Sequence, residues 1–454
     1  MNKPIFLFKF LKFISIFFLA FLLYFLLSLF RGGSSKTEVS EFDKNYECLY
    51  SHREPKLIVT SNFDNVVVPK IINVVNDAEK LIIIDIVGLE SSKYFKKLCG
   101  ALLKKQRENP FLDVFLVLSE SGLISGDLKE SMLAAGIHLI LLDSIYSPSV
   151  FAPLLHSISK DLSFFGVDTA FLKGFRVERN RNIVAVDGEK ECRAIFLSGS
   201  EPFDSVSYSF ELQGQPALAL LQSELFRLRE HYVQLAESEG ELKSIKDDRT
   251  SLEVIAAEFC EKKYVHDKKE YSRSLLLTKG NIDKFIEERM QSLPEGSLVS
   301  FVMPRIGSER FQSLVRNILA KGSKVRILIA KEQSSPSNLT LLNAYKINNF
   351  SKENIEIVWL EGQKVSAALL NVLSPDPNAC MTVVFNNPLA AGVDDDALLL
   401  GCVVFSKSFA KHYDAYVELL SASNATQSIY SVPLTEYKLN LAQQLALEYL
   451  SFLF

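Results

Sequence analysis

Hydrophobic and polar positions divide this chain into one long apolar run, then shorter runs that alternate with amphipathic stretches. Phe13–Phe30 reads FISIFFLAFLLYFLLSLF, without a charged residue. In a helix, eighteen residues rise ~27 Å, close to the ~30 Å of a hydrocarbon core, so the run predicts a transmembrane helix. Lys9 and Lys12 lie one turn apart ahead of it and can reach headgroups along their aliphatic stems. A cleaved signal peptide has a shorter apolar core and an A-x-A-like site, and Arg31-Gly32-Gly33-Ser34-Ser35 offers no such site. The expected beginning is a short cytoplasmic segment 1–12, an uncleaved anchor 13–30 and a linker 31–56.

Beyond the linker, one series of elements occurs twice. Leu81–Ile86 (LIIIDI) predicts a buried strand, Tyr94–Gln106 a helix, Phe111–Leu118 a strand, and Gly136–Leu142 another strand after a helical stretch. In the same order follow Ser297–Met303, the helix Arg310–Lys321 ended by Gly322, and the strands Lys324–Ala330 and Asn354–Leu360. Each series closes on three further strands: Ile183–Val186, Arg193–Leu197 and Val206–Leu212, then Ala367–Leu370, Met381–Phe385 and Ala397–Phe405. The first series carries roughly thirty extra residues around Ser144–Glu178. Strands alternating with helices of this length predict parallel sheets under helical cover, an α/β fold made by duplication. The expected units are a first repeat 57–230, a charged helical linker 231–295, a second repeat 296–420 and a segment 421–454 carrying an amphipathic helix from Leu439 to Phe454.

Charge settles fewer points. Lys3, Lys9 and Lys12 precede the apolar run and Arg31 and Lys36 follow it, so the positive-inside bias puts the N-terminus in the cytoplasm and the body outside it. Asn338, Asn349 and Asn424 open N-x-S/T sequons, usable if that exterior is a secretory lumen. A net charge of −4 gives no general case for nucleic acid as a partner. Six scattered cysteines without C-x-x-C predict small core residues, and no metal or cofactor is expected. Asp394-Asp395-Asp396 reads as an acidic turn before a strand.

Asn180-Arg181-Asn182-Ile-Val-Ala-Val-Asp187-Gly188, followed by Ser198-Gly199-Ser200-Glu-Pro, resembles the signature of the phospholipase D superfamily, His-x-Lys-x-x-x-x-Asp-Gly and then Gly-Ser-x-Asn. The segment Asp204–Phe226, a strand leading through a Gly-Gln-Pro turn into a helix, is similar as well. The resemblance spans roughly Leu57 to Leu420. It implies two phospholipase D-like α/β/α repeats behind the N-terminal transmembrane helix, with one motif from each repeat near a pseudo-twofold axis. In that chemistry one histidine attacks phosphorus and the other protonates the leaving oxygen, while lysines and Gly-Ser-x-Asn groups offset phosphoryl charge. Each aspartate is expected to orient a histidine.

The chain departs from that pattern where the chemistry needs it. Asn180 and Asn182 stand at the histidine and lysine positions of the first motif, with Asp187 and Ser200 retained. Lys364, Ser366 and Asn371 fit the second motif; the register Cys380, Thr382 and Asn387 also has the spacing but breaks the strand order. Neither contains a histidine. His266-x-Lys268 reads as coincidence in the charged linker, and His138 as a structural histidine. Arg176, Arg179 and Arg181, with Lys173, form a basic segment beside the first motif that suits a phosphate group. The resemblance therefore implies a membrane protein without phosphodiesterase activity, binding the bilayer through its anchor and a phosphate-bearing lipid or a protein partner through its body. A divergent phosphodiesterase or phosphatidyltransferase acting on phospholipid is the alternative. An unrelated membrane-tethered α/β enzyme or scaffold is a third.

Overall fold

The computed structural model describes residues 49–51, 55–60, 63–86, 89, 93–118, 125–141, 145–146, 176–177, 181–198, 207–239, 252–259, 272–303, 309–331, 354–361, 368–385 and 400–423. The apolar run 13–30, the sequons, Asp394–Asp396 and the C-terminal amphipathic segment lie outside these residues. No helix among the described residues is long and apolar enough to cross a membrane.

The first repeat opens with β2 (Lys56–Thr60), α1 (Phe63–Asn76), β3 (Ala78–Asp85), α2 (Phe95–Glu108), β4 (Asp113–Leu118), α3 (Gly126–Ala134) and β5 (Ile137–Leu141). It closes with β8 (Ile183–Gly188), β9 (Cys192–Leu197), β10 (Ser207–Gln213) and α4 (Gln215–Glu239). Short strands β6 (Ile145–Tyr146) and β7 (Arg176–Val177) pair with each other inside the long insertion, and β1 (Leu49–Ser51) precedes the repeat. The helix 252–259, α5, stands between the repeats. The second repeat runs β11 (Ser272–Thr278), α6 (Lys279–Gln291), β12 (Leu298–Met303), α7 (Glu309–Ala320), β13 (Lys324–Lys331), β14 (Ile355–Glu361), β15 (Ala368–Leu373), β16 (Met381–Phe385), β17 (Leu400–Phe405) and α8 (Lys407–Ser423).

The duplication is visible in the strand orders. One sheet runs β2-β10-β9-β8-β3-β4-β5 and the other β11-β17-β16-β15-β12-β13-β14, with β1 added beyond β11. In each, three strands are parallel and the rest antiparallel. Residues 231–295, read from sequence as a linker, thus include strand β11 and helix α6 of the second repeat. Their counterparts β2 and α1 open the first.

Strands with apolar residues on both faces belong to sheets covered on both sides. Ile82, Ile84, Val184 and Val186 join α1 and α2 in an outer core; Leu81, Ile83, Ile183 and Ala185 face a central one. Val302, Leu328, Val358, Leu369 and Val384 of the second sheet reach that same central core, and α6 and α7 cover the other face. Helix α4 is buried almost all round between residues 216 and 228 and touches β8, β9 and β10 on one side and β1 and β11 on the other. Phe210 meets Phe409 of α8 edge-on at 5.5 Å. The two sheets therefore enclose α4 and α8 in one shared interior.

Of two local expectations, one holds and one needs adjustment. Gly322 adopts φ 74° just after α7 and donates to the Leu319 carbonyl at 3.0 Å, so it ends the helix as expected. The strand expected from Phe111 begins at Asp113 instead. Asn109 and Pro110 form a turn in which the Asn109 side chain accepts from the Phe111 amide at 3.3 Å, and Phe111 is left outside, 91 % exposed.

Candidate functional site

Strand β3 runs antiparallel to β8, and Asp85 at the end of one lies opposite Ile183 at the start of the other. The first degenerate motif therefore begins beside Asp85. Asn182 is buried with φ 57°, a conformation that asparagine tolerates better than most residues, and its carbonyl accepts from Leu197 at 2.8 Å. Asn180 and Ser200 lie outside the described residues, as do Arg179, Lys364 and Ser366. Arg176 is placed by its backbone on β7, opposite Tyr146.

What the described residues build at this end is a cluster of four charges. Asp85 accepts from the Arg181 amide at 3.0 Å and from the Arg227 guanidinium. Arg227 also binds Glu224, by Nε at 2.9 Å and again through Nη2. Arg181 Nη1 donates to the Ser223 hydroxyl at 2.9 Å and faces Glu224 Oε2 at 3.6 Å. None of the five side chains is more than 9 % exposed. Burial favours a neutral Glu224, but Arg227 and Arg181 overcome it and hold the carboxyl below the usual carboxylate range. Burial likewise opposes a charged Arg227, and Glu224 with Asp85 raise it. Two positive and two negative groups cancel on the spot.

Arg181 was expected to offer its charge to a ligand, yet its guanidinium is directed inward to Ser223 and Glu224. Asp85, Ser223, Glu224 and Arg227 were missed by sequence reading. Their signals were a lone acid closing the apolar run LIIID, and Glu224 and Arg227 three apart on a helix otherwise lined by Leu and Ala.

Asp187 is at the other end of β8, five residues from Asn182 and ~16 Å along an extended strand. The β3–β8 ladder slips between Ala78 and Ile82, and Asp187 accepts from the freed amides of Lys80 at 2.9 Å and Leu81 at 2.7 Å. It closes a β-bulge.

The second motif shifts as well. Gly136 and Asn354 both have left-handed φ, 83° and 59°, and directly precede β5 and β14. The next residue of each, Ile137 and Ile355, pairs with Val114 and Val325; these pair with Ile82 and Val299, which pair with Val186 and Val372. Matching Val186 to Val372 sets Ala368 opposite Asn182 and Leu373 opposite Asp187, two residues from the register read in the sequence. Asn371 falls on the position of Ala185. It donates to the Ala410 carbonyl at 3.1 Å and accepts from Thr382 at 2.6 Å, a tie between the sheet and α8. Cys380 is buried behind Ser374 at the far end of the strand.

Other chemistry is sparse among the described residues. No group of His, Cys, Asp and Glu is arranged to hold a metal ion. Cys99, Cys192, Cys380 and Cys402 are buried, and burial pushes the thiols of Cys99 and Cys402 up to about 12. His138 stacks on Phe115 at 4.7 Å. His231, half-buried, is the described histidine that α4 carries one turn past Arg227.

No protein-family model matches the chain, and no curated protein matches it by sequence. Among solved structures, phosphatidylserine synthase from Haemophilus influenzae Rd KW20 superposes with a TM-score of 0.56 at 11 % identity, over 93 % of this chain and 99 % of that one. The phospholipase D family member Nuc from Salmonella typhimurium aligns over 34 % of this chain and 94 % of its own, with a TM-score of 0.26 at 9 % identity. Yeast tyrosyl-DNA phosphodiesterase aligns over 73 % and 83 %, with a TM-score of 0.41 at 10 % identity. The chain shares the fold of this phosphatidylserine synthase, in line with the resemblance to the phospholipase D superfamily read in the sequence. At such identities the likeness speaks to the fold, and the side chains decide the chemistry. At the end of β3 and β8 where Asp85 and Asn182 lie, the first repeat is filled with internally paired charges.

Proposed function

We propose that this protein is a membrane-tethered member of the phospholipase D fold that holds a phosphate-bearing lipid without cleaving it. The observation that carries this reading is the cancelled floor of the motif site. Asn182 brings no charge, and Arg181 and Arg227 are committed to Glu224 and Asp85, so little remains to stabilise an attacked phosphoryl group. Ligand contact then falls to the insertion beside the motif, through Arg176 and Arg179, with Arg181 holding the floor. The apolar run 13–30 supports the tether, and the lysines ahead of it support a body outside the cytoplasm.

The test uses the full-length chain in detergent with a generic phosphodiester and with phosphatidyl lipids, beside titration with a water-soluble short-chain phosphatidic acid. Binding without turnover, weakened by charge reversal at Arg176 and Arg179, is expected. Alkaline carbonate should leave the chain in the membrane fraction and release a form lacking residues 1–33. A second reading, a divergent phosphatidyl-transferring enzyme, is favoured by His231 and by the near-complete overlap with phosphatidylserine synthase. Turnover that disappears in His231→Ala would establish it and overturn the first.

A further inference from the structure

Helix α2 turns a basic stripe toward solvent. Its inner side is Phe95, Leu98, Cys99, Leu102 and Gln106, all buried. Outside, Lys93, Lys97, Gly100, Lys104, Arg107 and Phe111 follow at intervals of three or four residues, which sets them in one line along the helix and its two flanks; every one is exposed. Lys96 is exposed beside the line. Glu108 is the single acid of the helix, 3.7 Å from Lys104, so Lys96, Lys97 and Arg107 keep most of the positive field. Of helix α3, Asp127, Lys129 and Glu130 face solvent and leave a single net negative charge.

The stripe ends on exposed apolar groups. Gln106 donates to the Leu112 carbonyl at 2.8 Å, and its Nε2 lies 3.9 Å from where a Cβ on Gly136 would sit. The turn 109–112 and the end of α3 thus close around one side chain, which brings Phe111, 91 % exposed, and Leu133, 51 % exposed, to the same end of the sheet. Gly100 is a third observation. It sits mid-helix where a Cβ would meet nothing within 4 Å, so no packing among the described residues calls for glycine there. A flat step in a line of lysines lets a broad surface come close to the helix.

We infer that this face is a docking surface for an anionic lipid bilayer, with Phe111 entering the acyl boundary and the α2 cations lying among the headgroups. Charge favours this occupant: cations in a row with an aromatic at the end match a negatively charged surface that is apolar just beneath. The inference is independent of the degenerate motif, which opens at the other ends of the parallel strands. A crossover helix runs antiparallel to its strands, so a bilayer lying along the stripe leaves that mouth beside it rather than beneath it.

The experiment uses the full-length chain carrying Phe111→Trp, combined with vesicles of phosphatidylcholine alone or mixed with phosphatidylglycerol, with and without bromine-labelled acyl tails. The one native tryptophan, Trp359, is 1 % exposed and supplies a constant background that also reports an intact fold. With phosphatidylglycerol the introduced indole should shift to the blue and be quenched by brominated tails, and added salt should reverse both changes. Adding Lys97→Glu, Lys104→Glu and Arg107→Glu should weaken the response by at least about fivefold per residue. Emission identical in the two vesicles, or a blue shift without bromine quenching that marks a protein contact, overturns the proposal.

Discussion

Glu224 and Asp85 sit where water does not reach, and their charges are tolerable because Arg181 and Arg227 stand against them. Removing one member strands the others. Glu224→Gln should lower unfolding free energy by about 3–5 kcal/mol in denaturant titration, whereas a surface exchange such as Glu130→Gln should stay within about 0.5 kcal/mol. The pH dependence follows from direction. Glu224 binds its proton less readily folded than unfolded, so its stabilisation is present above the ordinary carboxylate range and fades as pH falls through it. Glu224→Gln should therefore flatten the acid limb of the stability curve. Asp187 invites a different substitution. Asp187→Ala leaves the Lys80 and Leu81 amides of the bulge without their carboxylate and should cost about 1.5–3 kcal/mol, with Asp187→Asn losing less because one oxygen still accepts. Neither change should alter the ligand binding proposed for Arg176 and Arg179. Asp187 was visible in the sequence, but its role was not, because bulge amides carry no side-chain signature.

Among elements, the strongly patterned ones were legible. Leu81–Ile84, Val325–Ile329 and Met381–Phe385 are continuous apolar runs, and sheets covered on both faces leave no other reading for them. Strand β11 was not, since SRSLLLT is brief and follows a charged stretch. Helix α1 was hidden by its valines and by Pro69, residues that lower helix propensity and are overridden here by packing on β3 and β8. Two glycines separate local preference from tertiary need. Gly100→Ala adds a methyl into open space within a helix and should raise stability by about 0.5–1 kcal/mol. Gly136→Ala should lower it by about 1–2 kcal/mol, because φ 83° is strained for any residue with a Cβ. Thermal unfolding of the two variants should shift in opposite directions.

The repeats share their interior. Leu81 and Ile83 of one sheet and Val302 and Leu328 of the other belong to a single apolar core, with α4 and α8 buried between them. A piece covering residues 272–454 alone therefore exposes the inner face of its sheet and α8. It should bind a hydrophobic dye and unfold without a cooperative transition, whereas the full chain unfolds as one unit. Duplication here supplies two halves of one core, not two domains on a linker.

Periodicity carried the class of fold and the repetition of its elements, and the resemblance to the phospholipase D signature implied the loss of histidine at both motifs. Those properties depend on residue type and spacing along the chain. The apolar run at the N-terminus likewise needs nothing but its own length to predict a membrane span. Tertiary structure decided which charges meet. Asp85 and Arg227 are 142 residues apart, and Lys80 and Asp187 are 107 apart. Such pairs follow from strand order and ladder slip, which long-range packing sets. For the same reason the second motif could not be aligned by spacing, and a left-handed glycine matched to a left-handed asparagine placed it instead.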